Sequence, residues 1–180
     1  SYAIPWMFPY LTPHGLIMKI NAEPLPELPP SVVKQDHDFW DWYTRRLIGT
    51  TIELPSSVRR PPDAPHGIYE LVEENTNTQT RTWRVGMNPK FRVDVCARKS
   101  FSKLRASIAG LYTYRRMYDE AEYAFRQAVA LYPLSPEATF RLAADVYLAQ
   151  RRYDDADRLI ESFLRQDPMS TKAAEFLAHI

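Results

Sequence analysis

Arg115-Arg116-Met117-Tyr118-Asp119-Glu120-Ala121-Glu122 is answered 35 residues later by Gln150-Arg151-Arg152-Tyr153-Asp154-Asp155-Ala156-Asp157. The same interval separates Tyr112 from Tyr147 and Pro133 from Pro168. A fixed period of this length marks a stacked repeat, in which one helical unit recurs and buries its apolar face on its neighbour. Each unit reads as a helix, a short turn near Tyr118 or Tyr153, a second helix and a proline-terminated loop. The first unit, near 102–135, sets Ile108, Ala109, Tyr112, Ala121, Phe125, Ala128 and Pro133 at its pattern positions. The second, near 137–170, sets Phe140, Ala143, Ala144, Tyr147, Ala156, Ile160, Phe163 and Pro168. Small residues such as Ala109, Ala121, Ala144 and Ala156 let paired helices approach, while Tyr112, Phe125, Phe140 and Tyr147 fill the gaps. The tyrosines therefore read as core rather than as a ligand cage.

This pattern resembles the tetratricopeptide repeat family, whose unit is 34 residues long. One extra residue is assigned to the linker Leu134-Ser135-Pro136. Arg105 stands where the first unit usually opens with a bulky residue, and Phe163 stands where a small one is usual. The resemblance implies a mainly α fold, a short α-solenoid of antiparallel helix pairs over 89–180. It also implies a non-catalytic role in binding a protein or peptide on the concave face of each first helix. Those positions hold Lys103, Ala106, Gly110, Thr113, Tyr114, Arg141, Asp145 and Ala149, of which Lys103, Thr113, Tyr114, Arg141 and Asp145 are the candidate contacts. The chaperone-type clamp of the family needs Lys and Asn where this chain has Ala106 and Gly110, so a chaperone-tail receptor is not expected. A third unit opens after Pro168, and its helix, 172–180, caps one end. The other end must be covered by residues 1–88.

Working outward, the composition changes near Asn88-Pro89, a good N-cap and first-turn pair for a helix. Twelve of the 15 prolines and all four tryptophans lie at or before Pro89. Residues 1–30 are proline-rich and extended, yet carry Tyr2, Trp6, Phe8, Tyr10, Leu16 and Met18. Such a segment either lies along the repeats, burying Trp6 and Phe8 and filling their groove, or sits at a bilayer surface. From 31 to 48 the pattern turns helical, with Phe39, Trp40, Tyr43 and Leu47 on one face and Trp42 offset. Asp36, Asp38 and Asp41 load its early turns, Arg45 and Arg46 its last, and Gly49 offers the C-cap. Residues 50–88 read either as a small hairpin, with Asn75-Thr76-Asn77-Thr78 as its turn, or as a disordered insertion around Arg59-Arg60-Pro61-Pro62.

Little else carries chemistry. The formal charge of +1, from 23 basic and 22 acidic residues, argues against a nucleic-acid partner held by a strong basic field. Cys96 alone excludes a disulfide framework and reads as a buried thiol. His14, His37, His66 and His179 lack metal-ligand spacing, and the shared Pro-His-Gly context of His14 and His66 reads as turn chemistry. No phosphate-binding glycine loop or nucleophile elbow occurs, and neither a cofactor nor a catalytic residue is expected. The basic run Lys90, Arg92, Arg98, Lys99, Lys103 and Arg105 reads as an exposed helix face, or as a patch for anionic lipid or an acidic partner.

Two stretches carry a narrower likeness: Ile4-Pro5-Trp6-Met7-Phe8-Pro9-Tyr10 with Pro13-His14-Gly15-Leu16-Ile17-Met18-Lys19-Ile20, and Ala97-Arg98-Lys99-Ser100-Phe101-Ser102-Lys103-Leu104-Arg105. Together they resemble the C-terminal tail of bacterial polytopic membrane proteins related to protein O-mannosyltransferases. That likeness implies a piece of a longer protein, on the extracytoplasmic (periplasmic) side of an inner membrane, with the transferase carboxylates elsewhere. The alternatives are a self-contained adaptor that binds a peptide, and a part that shapes the acceptor site of a membrane glycosyltransferase.

Overall fold

A computed structural model describes residues 5–49, 69–73, 83–87 and 89–180, with side chains at 6–44 and 96–180. In chain order the elements are a 3-10 turn (Pro5–Tyr10), β1 (Leu11–His14), β2 (Ile17–Ile20), α1 (Pro30–Gly49), β3 (Tyr69–Glu73), β4 (Trp83–Met87), α2 (Pro89–Tyr114), α3 (Tyr118–Leu131), α4 (Pro136–Arg141), α5 (Tyr153–Gln166) and α6 (Thr171–His179). Contacts group them into two compact units, residues 1–48 with 98–180 and residues 49–97. Residues 1–48 thus go with the repeats instead of forming one region with 49–88. In the second unit β3 and β4 pair antiparallel, Tyr69 opposite Met87 and Glu73 opposite Trp83. The expected turn at 75–78 and the loop at 59–62 lie outside the described residues.

The first unit is a short tetratricopeptide-type array: α2 pairs with α3, a helix over 136–150 pairs with α5, and α6 closes the far end. Ile108, Ala109, Tyr112, Ala121, Phe125, Ala128, Ala156 and Ile160 are all fully or almost fully buried in one core. Each large aliphatic or aromatic side chain buried there contributes roughly 1.5–3 kcal/mol. Phe140 ties the second repeat to α6, with its ring 5.7 Å from Phe163 and 5.6 Å from Phe176. Ser135 and Ser170 cap the helices that follow, each accepting from the backbone N–H three residues on.

Both first helices end alike. Arg116 and Arg151 take left-handed backbone angles, φ 58° and 60°. Met117 N–H bonds to Tyr112 O at 3.0 Å and Arg152 N–H to Tyr147 O at 2.8 Å. These are the long hydrogen bonds of a Schellman stop, and they recur 35 residues apart.

The extra residue of the second unit sits elsewhere than in the linker. α4 runs on through a π-helical turn (Leu142–Tyr147) and a 3-10 turn (Leu148–Gln150), and Leu142 and Leu148 both hold right-handed helical angles. At the start of this turn buried positions match at an interval of 34 (Ile108 with Leu142, Ala109 with Ala143), and at its end at 35 (Leu111 with Val146, Tyr112 with Tyr147). A π turn holds one residue more than an α turn, so the insertion lies inside the helix. Ala143 is accordingly buried and Ala144 exposed, the reverse of the expected role for Ala144.

α1 docks on this array through Trp40, which is fully buried, with Asp36 and Thr44 one turn to either side. Phe39 and Tyr43 stack 5.6 Å apart, and Tyr43 meets Phe101 of α2 edge-on at 4.8 Å. Trp42 is exposed. Asp36 does not serve the helix dipole: its Oδ2 accepts from Arg105 Nη1 at 2.6 Å and from the Tyr112 hydroxyl at 2.7 Å. Arg105 is itself fully buried, donates through Nε to Gln127 at 2.8 Å, and lies over the Trp40 ring. Gln127 and Tyr123 then donate to Asp41. A charge is buried in this way only when paired and hydrogen-bonded. Burial pushes the Tyr112 hydroxyl well above its ordinary range, with the Asp36 charge adding to it.

The segment expected to be extended forms a hairpin. Gly15 takes φ +63° in the two-residue turn between His14 and Ile17, so Pro-His-Gly is turn chemistry at this site. Pro13 is tolerated because a two-stranded ribbon leaves each strand an unpaired edge. Arg115 bolts the segment to the end of α2: Nη1 donates to Leu25 O at 2.7 Å, and Nη2 to Phe8 O at 3.1 Å, Pro9 O at 3.2 Å and Leu11 O at 3.3 Å. Phe8 packs on Tyr114, but Trp6 is 70% exposed, so only one of the two aromatics expected to be buried contributes.

Candidate interaction face

On α2, Gly110, Thr113 and Tyr114 fall at i, i+3 and i+4, and on the facing helix Arg141 and Asp145 fall at i and i+4. The structure brings part of this set together. Arg141 Nε donates to Asp145 Oδ2 at 3.0 Å, and its guanidinium lies 5.3 Å from the Phe125 ring centroid. A Cβ on Gly110 would stand 2.5 Å and 2.8 Å from Arg141 Nη2 and Nη1. The missing side chain is therefore what lets the guanidinium lie against the α2 backbone. Both side chains of the pair stay about one-third exposed. Asp145 belongs to the π turn, whose extra residue changes its angle relative to Arg141, and π insertions often accompany functional positions.

The other expected contacts fare unequally. Lys103 is exposed, and Tyr114 is exposed beside Phe8, ring centroids 4.9 Å apart. Thr113 is half-buried and its hydroxyl donates to Ala109 O at 3.0 Å. Ala106 and Gly110 are buried beneath the face, whereas Ala149 is exposed. The basic run breaks up. Arg105 is fully buried on Asp36, so it cannot belong to a surface patch. Lys99 and Lys103 are exposed and Arg98 half-buried, while the side chains of Lys90 and Arg92 lie outside the described residues. Cys96, expected to be buried, is exposed. Phe125 beneath Arg141 and Phe8 beside Tyr114 were missed; the local signal was Gly110 itself, a lone glycine in a helical run.

Among the described residues no cluster of His, Cys, Asp or Glu could hold a metal ion, and no helix is long and apolar enough to cross a membrane. Helix pairs stacked on one core define a helical repeat array. A tetratricopeptide repeat model matches residues 114–180, the part of the chain in which this array repeats. No curated protein and no solved structure matches the chain. Repeats of this family generally mediate protein–protein contacts and are typically non-catalytic.

Proposed function

We propose that the chain is a non-catalytic interaction module that holds a protein partner on the face bearing Lys103, Tyr114, Arg141 and Asp145. The observation that supports this reading is the Arg141–Asp145 pair laid over Gly110 and Phe125, a charged couple about one-third exposed that a purely structural face does not need. One edge of the face is already covered by the chain's own Phe8, held by Arg115. The module is the extracytoplasmic tail of a bacterial membrane glycosyltransferase-like protein, a reading that rests on the two quoted N-terminal and α2 stretches. Immobilised wild-type chain should retain a partner from extracts of the source cells that Arg141→Glu loses and Arg165→Glu, at an exposed position away from this face, keeps. Equal retention by all three proteins would remove this face from consideration. For the parent protein, many apolar spans encoded before Ser1 are expected.

A further inference from the structure

A second cleft lies away from that face, between α3 and α5. Its larger compartment holds about 430 Å³ and is walled by Val129, Ala130, Leu142, Tyr147 and Leu159, with Arg126, Asp155 and Arg158 around it. A smaller compartment of about 270 Å³, lined by Arg151, Arg152, Tyr153 and Asp154, shares Asp155 and Arg158 with the first. None of Lys103, Tyr114, Arg141 or Asp145 lines either one.

The charges of this cleft are ordered from inside to outside. Glu122 takes Arg126 Nη2 at 2.7 Å and Arg152 Nη1 at 2.5 Å. Asp155 takes Arg152 Nε at 2.7 Å and Arg158 Nη2 at 2.7 Å. Three guanidinium groups therefore serve two carboxylates. The carboxylates are the less exposed partners, at 17% and 30%, whereas the side chains of Arg126 and Arg158 are 62% and 74% exposed. Burial opposes it, but the bonds from Arg152 and Arg126 hold the Glu122 carboxyl below its usual range; bonds from Arg152 and Arg158 do the same for Asp155. Arg158 uses one N–H on Asp155 and keeps the rest of its five donors for another acceptor. An arriving lysine would find Glu122 and Asp155 engaged and would meet only the exposed Asp154 of the smaller compartment, whereas an arriving carboxylate would find the forked donors of Arg126 and Arg158.

We propose that this cleft is a docking site for a protein segment in which large apolar side chains are flanked by carboxylates. The apolar compartment is of a size that takes one or two such side chains, within the roughly 300–1,000 Å³ of ordinary binding pockets. Arg126 and Arg158 at its mouth receive the flanking acids. The test is fluorescence anisotropy on the whole 180-residue chain. The probe is a labelled hexapeptide, Glu-Glu-Leu-Phe-Glu-Glu, and its control carries lysine at each glutamate. Saturable binding of the acidic peptide is expected, with the basic one at least tenfold weaker. Arg158→Glu, at a largely exposed position, and Ala130→Phe, which fills the apolar compartment without touching a charge, should each weaken binding tenfold or more. Arg141→Glu should leave it unchanged, which separates this site from the face proposed above. Absence of saturable binding, equal binding of both peptides, or a loss confined to Arg141→Glu would overturn the proposal. Circular dichroism of the variants checks that their helices persist.

Discussion

Arg105 and Asp36 are both closed to solvent, and the guanidinium leaves Nη2 without an acceptor while the carboxylate leaves Oδ1 without a donor. Replacing Arg105 with Met keeps the bulk over Trp40 but strands the carboxylate with only the Tyr112 hydroxyl. Breaking a buried pair from one side costs about 3–5 kcal/mol, because the remaining charge is buried and uncompensated. For a domain of this size that corresponds to a fall in Tm of about 6–20 °C, at roughly 2–4 °C per kcal/mol. It is also a large part of a total stability of roughly 5–15 kcal/mol. Asp36→Leu should cost a similar amount. The double variant, with an apolar pair in place of the ionic one, should return to within about 1 kcal/mol of wild type or exceed it. Urea unfolding of the four proteins, followed by far-ultraviolet dichroism, closes the cycle. If Arg105→Met loses less than about 1 kcal/mol, as an exposed helix face would, or if the double variant loses the sum of the singles, the buried pair does not exist.

Further outcomes follow from single side chains. His37 sits against the Tyr112 and Tyr123 rings; burial first, then Arg105, hold its pKa below the ordinary 6.5, against the charges of Asp36, Glu120 and Asp41. The unfolded chain therefore binds the proton first, so this contribution is complete above pH 6.5 and is lost as pH falls through the lower folded value. Urea midpoints between pH 7.5 and 5 should decline for wild type and decline less for His37→Phe. Gly110→Ala pushes only the mobile end of Arg141, so stability should stay within about 1 kcal/mol while the guanidinium leaves its seat on Phe125, an effect visible as shifted Phe125 ring resonances. Trp6→Ala, at a 70% exposed position, should change stability by under about 0.5 kcal/mol, whereas Arg115→Ala, which removes the donor to the Phe8, Leu11 and Leu25 carbonyls, should cost about 2–4 kcal/mol in the same denaturation assay.

How much of this was readable in advance divides along physical lines. The repeat was legible because Ala121 and Ala156, or Tyr112 and Tyr147, must be small or large for the same packing reason in each unit. The site of the extra residue was not legible, since an insertion at Pro136 and one inside the 142–147 turn leave the same spacing downstream. Arg105 was misread because its partner, Asp36, lies 69 positions away, and no local pattern separates a paired buried charge from a solvated one. The hairpin at 11–20 was hidden by Pro13, which lowers strand propensity, although Gly15 marked its turn. Of the candidate contacts, Arg141 and Asp145 were legible only as face positions implied by the repeat resemblance; their pairing, and its seat on Gly110 and Phe125, were not.

The bond between Asp36 and Arg105 has a consequence for how the chain can change over time. The polypeptide leaves the repeat-bearing unit after residue 48 and returns at 98, and the clasp spans that departure. The entropy of closing a loop grows only with the logarithm of its length, about 0.6 kcal/mol for each doubling. The stretch 50–88 between α1 and α2 could therefore be lengthened, shortened or exchanged for another sequence at small thermodynamic expense, provided Asp36, Trp40 and Arg105 remain to hold the two helices together. Relatives should thus vary most freely in the length of this detour, and least at the three side chains that fasten it.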